Sequence, residues 1–372
     1  MKILQTPVRF YPYIGGVENY VFDLSKELVK LGHNVTVVCA NEPKSEQNKS
    51  AVEGISVKRL NYIGKIANTN ISLTLPVRLL KENFDILHTH FPTPWSSDWS
   101  AIISLIKRKP LVITYHNDIE NHSTMRMLAG IYNKFFLKFV LKTAKKIIID
   151  QPDYLKYSKF LKRYKTKVIV VPIGIDINKF KPHKCKKIRN MIFFLGILDK
   201  FHRYKGLDYL IKSVALVKKK IPDIKLVVGG KGELVDEYKQ LVKRLRLEKN
   251  VDFIGYVDDK TLVKLYSRSQ IFILPSISNF EGFGIVLLEA MACKTPVICT
   301  DLVGMAKNVE NNRAGIVIRP KDTKALGGAI IEILTNEKIA KDMRENALRL
   351  AKEKYDSRKM ALDIEKIYEA VK

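Results

Sequence analysis

Short, nearly continuous apolar runs alternate with helical stretches along most of the chain. Ile3, Leu4, Gln5 and Thr6 open the series. The apolar residues that follow, Val17, Tyr20, Val21, Leu24, Leu28 and Leu31, recur at spacings of three, four and seven and mark one face of a helix. Gly32 stands where that helix should close. Residues 35–39, 86–88, 111–115, 147–149 and 168–171 read as further strands, with helical stretches between several of them. Strands apolar at nearly every position, joined by helices, predict a parallel sheet covered on both faces.

The pattern restarts at 191–196. A helix follows with Leu207, Leu210, Ile211, Val214 and Val217 on one side, and strands are predicted at 226–228, 251–254, 271–274, 296–299 and 315–318. Residues 172–182 between the two series are rich in turn formers and polar side chains, which places a domain boundary there. The last stretch, 325–371, reads as helix. The fold class is therefore α/β, with two tandem Rossmann-like, doubly wound domains. Ligands of open α/β sheets bind beyond the carboxyl ends of the strands, so two such domains are expected to face one another across a ligand cleft.

Composition narrows the function classes. The 372 residues are 46% hydrophobic and 28% charged, a balance that argues against disorder. No apolar run reaches the roughly 18 residues of a membrane span. The first residues lack the apolar core of a signal peptide, and four scattered cysteines without a CxxC pair exclude a disulfide framework, so a cytoplasmic setting is expected. The net charge of +27 attracts phosphates, polyanions or anionic lipid surfaces, and equally serves as a solubilising surface.

Three loops carry the candidate chemistry. Gly15 and Gly16 open the first helix, where free N–H groups and the helix dipole favour an anion; the sequence around them is not GxGxxG, and no GxxxxGK[ST] exists in the chain. In the second domain the strand 271–274 runs into 280–292, where Gly282 and Gly284 leave N–H groups free near a helix start placed at Gly282. Glu281 precedes that helix and Glu289 lies about two turns into it; carboxylates beside a phosphate nest suit a ligand carrying hydroxyls next to phosphates. Arg203 and Lys205 stand before the helix at 207 and are placed to neutralise a diphosphate. No DxD triplet and no ligand cluster with metal-binding spacing is present, so no metal is expected.

With these motifs the chain resembles the retaining GT-B glycosyltransferases of family four, the group 1 set. The carriers are Ile14-Gly15-Gly16-Val17-Glu18, Asp85-Ile86-Leu87-His88-Thr89-His90, Val171-Pro172-Ile173-Gly174-Ile175-Asp176, His202-Arg203-Tyr204-Lys205-Gly206, Gly229-Gly230-Lys231-Gly232 and the E-x7-E element from Glu281 to Glu289. The resemblance implies an N-terminal acceptor domain at 1–172, a nucleotide-sugar domain at 173–354 and a closing helix at 355–372 that returns to the first domain. It further implies that Glu281 contacts sugar hydroxyls and Glu289 the ribose. The N–H groups of Gly282, Phe283, Gly284 and Ile285 hold the phosphates and sugar, with Gly15, Gly16 and Gly230 also donor-binding. Arg203 and Lys205 stabilise the leaving diphosphate, and Tyr256 lies against the base. His116 is the first-domain histidine near sugar and acceptor, and His90 an acceptor-side group. No cofactor is implied, the nucleoside diphosphate sugar being a substrate. Ile197, Lys294 and the Gly304-Met305 pair depart from the family pattern.

The basic stretch 126–167, whose acids are Asp150 and Asp153, interleaves lysines with Phe135, Phe136, Leu137, Phe139 and Val140. It fits both a peripheral contact with an anionic membrane and an ordinary covering helix. The expected acceptor is a sugar or lipid-linked sugar, in glycoconjugate synthesis at the inner face of the cell membrane. The rivals are a catalytically lapsed sugar-nucleotide scaffold, a sugar-nucleotide epimerase, and a nucleic-acid binder exploiting the charge; the last is disfavoured because no nucleic-acid-binding motif is present.

Overall fold

A computed structural model describes residues 1–13, 15–44, 50–66, 69–119, 126–152 and 154–372. The chain divides into two compact units, Met1–Gly174 with Ser357–Lys372, and Ile175–Asp356. The first division falls two residues past Pro172, and the second falls after Asp356, two residues past the expected 354.

The first unit is built on an eight-stranded sheet: β1 (Lys2–Thr6), β2 (Asn34–Ala40), β3 (Ala51–Val52), β4 (Ile55–Leu60), β7 (Ile86–Phe91), β8 (Leu111–Tyr115), β9 (Lys146–Ile149) and β10 (Val168–Val170). A separate hairpin forms β5 (Gly64–Ile66) and β6 (Thr69–Ile71). The sheet order is β10-β9-β8-β7-β1-β2-β4-β3, parallel except for the β3–β4 pair. The sequence pattern had no place for the elements from β3 to β6. Ile55-Ser56-Val57-Lys58 alternates apolar and polar side chains, with Ile55 and Val57 buried, the signature of a half-buried strand, and Gly54 before it supplies the turn.

The two faces of this sheet differ in chemistry. One carries Leu4, Leu87, Ile113, Tyr115, Ile147 and Ile149 and packs against the helices Ser96–Lys107 and Lys138–Thr143, forming an apolar core. On the other, the strand registers align Gln5 with His88 and His90 with Thr114. That polar face meets the helices Gly16–Lys30 and Ser357–Val371, which also pack on each other. The last helix thus belongs to the first unit and completes it.

The second unit holds a wholly parallel six-stranded sheet: β11 (Met191–Leu195), β12 (Lys225–Gly229), β13 (Val251–Gly255), β14 (Ile271–Leu274), β15 (Val297–Thr300) and β16 (Gly315–Ile318). Its order, β13-β12-β11-β14-β15-β16, reverses direction between β11 and β14. Loops leaving neighbouring strands at such a switch point diverge and open a crevice. Leu207, Leu210, Ile211 and Val214 from the helix Leu207–Val217 and Leu326, Ile330 and Ile333 from the helix Thr323–Thr335 fill the core on one side of the sheet.

Candidate active site

Lys205, Glu281 and residues 282–285 come together at the switch point of the second sheet. The loop after β11 reaches a short 3-10 turn, Arg203–Lys205, and the loop after β14 reaches Glu281. Three contacts join the two loops. The Ile277 N–H donates to the Tyr204 carbonyl at 2.7 Å. The Tyr204 and Phe280 rings lie 5.9 Å apart. Gly206 takes φ +73° so close to the Pro275 carbonyl that a Cβ would stand 2.2 Å from its oxygen, which only glycine accommodates. This approach sets Lys205 opposite Glu281, Nζ to Oε2 2.6 Å, with the two side chains only 13% and 10% exposed.

Beside that pair lies a row of backbone N–H donors. The helix after the loop starts at Ile285, three residues later than expected, because Gly284 caps it in a left-handed conformation. Glu289 is therefore about one turn into the helix rather than two. The carbonyls of Gly282 and Phe283 accept from the Gly304 and Met305 amides, which pins the loop. The amides of Gly282, Phe283, Gly284 and Ile285 donate to no backbone carbonyl among the described residues. Four N–H groups left over at a helix start form an anion cradle. Glu289 is buried and accepts a hydrogen bond from the buried Tyr266 hydroxyl at 2.8 Å, which fixes its carboxylate.

Two expected neighbours are arranged differently. Arg203 points away from Lys205: its Nη2 pairs with Glu237 Oε2 at 2.5 Å on an exposed surface. A guanidinium free to turn on a short 3-10 element follows the nearer carboxylate. Gly230 donates its amide to the Gly255 carbonyl at 2.7 Å, so that N–H is spent within the fold. Its φ of +131° and a virtual Cβ 1.8 Å from the Gly196 oxygen make it a packing glycine that lets the loops after β11 and β12 touch. Tyr256, just beyond β13, is 60% exposed with Lys231 Nζ 5.9 Å from its ring centre. Of the residues that depart from the family pattern, Ile197 is exposed, and Lys294 has a positive φ and pairs with Glu345 at 2.6 Å.

In the first unit, Gly15 is the extended residue preceding the helix Gly16–Lys30; Ile14 lies outside the described residues. A Cβ on Gly15 would stand 2.2 Å from Glu18 Oε2. Glu18 forms a buried pair with Arg9 Nε at 3.1 Å, and the Arg9 guanidinium stacks 4.3 Å from the Tyr13 ring centre. Arg9 was not singled out in the sequence. Its signal was faint, one arginine in a loop of a chain with 65 basic residues.

His116 follows β8, and its N–H donates to the Phe91 carbonyl at 2.8 Å. Its ring lies edge-on to Tyr20 at 5.0 Å and stacked over His90 at 5.7 Å, and His90 lies 4.6 Å from His88. His90 is fully buried, with Nε2 2.8 Å from Gln5 Oε1, so it supports His116 from behind instead of facing an acceptor. His88 is clamped between the Tyr368 hydroxyl at 2.6 Å and Thr114 Oγ1 at 2.8 Å. Burial pushes His116 down to about 4; burial and the charge of its neighbour push His88 down to about 3, and His90 falls well below its usual range. All three imidazoles are thus neutral at physiological pH and stack without mutual repulsion.

Two family models divide the chain between them: "Glycosyltransferase Family 4" matches residues 14–179 and "Glycosyl transferases group 1" matches residues 176–350. The chain belongs to the group 1 glycosyltransferases. Among curated relatives this glycosyltransferase is similar to the O-antigen chain mannosyltransferase C of Escherichia coli, 28% identical over 367 residues, 95% of this chain and 94% of the relative. The phosphatidyl-myo-inositol mannosyltransferase of Mycobacterium leprae is 24% identical over 96% of this chain and 93% of its own. Among solved structures, Anabaena HepE in complex with UDP-glucose matches with a TM-score of 0.80 and 20% identity over 100% of both chains. That likeness shows the fold, GT-B with two Rossmann-like domains.

Proposed function

We propose that this glycosyltransferase moves a sugar, with retention at the anomeric carbon, from a nucleoside diphosphate sugar to a hydroxyl of a lipid-linked sugar or glycolipid. The observation that carries the donor half is the Lys205–Glu281 pair beside the free amides of residues 282–285, at the switch point of the second sheet. The transition state of such a transfer resembles an oxocarbenium ion, with charge growing on the departing phosphate. Lys205 and the amide cradle oppose that charge, and electrostatic terms of this kind are usually the largest in catalysis. Glu281 holds sugar hydroxyls, Glu289 the ribose, and Tyr256 offers an exposed ring to the base. Arg203 joins the diphosphate by leaving Glu237, a small cost for a pair so exposed to solvent. The leaving phosphate takes the acceptor proton on the same face, His116 lines the sugar, and Lys205 supplies the positive charge without a bound metal.

The membrane side of the proposal rests on residues 126–143. The basic amphipathic helix expected around Tyr132–Lys142 is interrupted by a π-helical turn, Asn133–Leu137. Leu137, Val140 and Leu141 are buried in the sheet-covering core, while Phe135 and Phe136 are 60% and 52% exposed beside the exposed Lys134, Lys138 and Lys142. The stretch therefore covers the sheet and also presents an aromatic, basic face suited to an anionic lipid surface at the cytoplasmic side. No helix among the described residues is long and apolar enough to cross a membrane.

A thermal-shift panel of GDP-, UDP- and ADP-sugars tests the donor assignment. GDP-mannose heads it, because both curated relatives named above are mannosyltransferases. Ligand at 100 times its Kd stabilises by about 2.7 kcal/mol, and no shift with any member would end the proposal. Flotation with anionic vesicles tests the membrane face: Phe135→Ser with Phe136→Ser should release the protein, and unchanged flotation would remove that part.

A further inference from the structure

One carboxyl at the end of the first sheet is used by nothing described above. Asp150 stands immediately after β9, on the carboxyl edge where ligands of parallel sheets bind. β8 and β9 are in register with Thr114 opposite Ile148, so two residues further along each strand come His116 and Asp150. Tyr20 ties the two together. Its ring meets His116 at 5.0 Å and its hydroxyl lies 3.3 Å from Thr114 Oγ1; burial raises its phenol, and the nearby charge of Asp150 raises it further.

Asp150 is partly open to solvent, yet among the described residues its carboxyl meets only its own backbone N–H. That isolation is unusual in a chain with 65 lysines and arginines, where Glu18, Glu42 and Glu281 all hold cations. Burial pushes it up to about 7. An acid at a strand end with no cation paired to it among the described residues is fitted to take hydrogen bonds from a ligand.

We infer that Asp150, with His116 beside it, is the wall of the acceptor site that binds hydroxyls of a neutral sugar ring and turns away an anionic group at that position. The inference rests on the glycosyltransfer proposed above and names the acceptor's chemistry. A carboxyl without a cationic neighbour accepts from hydroxyls, whereas a phosphate or carboxylate placed against it meets like charge. This separates a sugar-terminated acceptor from one whose phosphate lies next to the reacting hydroxyl.

The experiment uses the full chain saturated with whichever of GDP, UDP or ADP stabilises it most, and two probes, octyl α-mannopyranoside and octyl α-mannopyranoside 6-phosphate, with binding followed by calorimetry. The neutral glycoside should bind the wild-type protein and bind Asp150→Asn at least tenfold more weakly, while the phosphorylated probe should gain on Asp150→Asn relative to wild type. A structural role alone would not reverse charge selectivity in this way. Equal affinity of the neutral probe for both proteins, no binding of it to wild type, or unchanged selectivity would overturn the inference. Thermal shifts with nucleotide sugars run in parallel report the donor site separately: a wild type that binds the neutral glycoside but no nucleotide sugar sinks the donor proposal alone.

Discussion

Lys205→Met removes the cation from the Lys205–Glu281 pair while keeping most of the side-chain volume. It leaves a carboxylate that is 10% exposed without the partner 2.6 Å away. Breaking one side of a buried pair costs about 3–5 kcal/mol. Residual solvent access favours the lower end, about 3 kcal/mol, which corresponds to a fall in melting temperature of roughly 6–12 °C for a unit running from Ile175 to Asp356. The effect on chemistry has a different origin, since Lys205 is proposed to meet the diphosphate as its charge grows. Loss of one such contact raises the barrier by about 3–4 kcal/mol, or roughly 10²–10³-fold in turnover. The double variant Lys205→Met/Glu281→Gln separates the two effects. With no charge left unpaired it should regain most of the melting temperature yet transfer no faster than the single variant. Calorimetric unfolding and a radiolabelled donor assay on all three proteins decide it. Transfer by Lys205→Met within about tenfold of wild type, or activity restored in the double variant, would refute the reasoning.

Gly230→Ala places a Cβ 1.8 Å from the Gly196 carbonyl oxygen in a backbone with φ +131°, and should cost more than about 3 kcal/mol; an unchanged urea midpoint would contradict the packing role. Asp150 predicts a pH-dependent stability. Its folded pKa of about 7 lies above the ordinary 3.8, so ionisation opposes folding; the penalty is absent below about pH 4, grows as pH rises and is complete above about pH 7. Three units set a ceiling of about 4 kcal/mol, and partial solvent access reduces it to about 2. Asp150→Asn should therefore stabilise the protein at pH 8 and leave it unchanged near pH 4, and equal effects at both in urea unfolding would exclude the shift.

Most of both sheets was legible because strands covered on both sides read as short, largely apolar runs, even where Gln5, His88 and His90 turn toward a polar face. The segment between β2 and β7 was harder to read, since β3 has two residues and β4 alternates toward solvent. The E-x7-E element and Lys205 could be picked out singly, but their union could not, because Lys205 and Glu281 lie 76 residues apart and meet only through Gly206 and the tight approach of two loops. Arg203 looked like a companion of Lys205 from its position in the chain. A 3-10 turn sends the two side chains in different directions, and Glu237, on a separate helix, takes the first. His90 was expected on the acceptor side from the family resemblance, yet strand register turns it and His88 inward, where Gln5 and Tyr368 hold them. Asp150 gave no motif at all, and its character comes from having no cation paired to it among the described residues.

The bond between Tyr368 and His88 spans 280 residues. The first unit to leave the ribosome is therefore among the last to be finished: its polar sheet face stays uncovered until the helix Ser357–Val371 emerges. Meanwhile the second unit, continuous in sequence, can be complete. During that interval His88, His90 and His116 lack the cover that keeps them neutral, so chains stopped short of that helix should be more vulnerable to acid and to misassociation than chains that carry it.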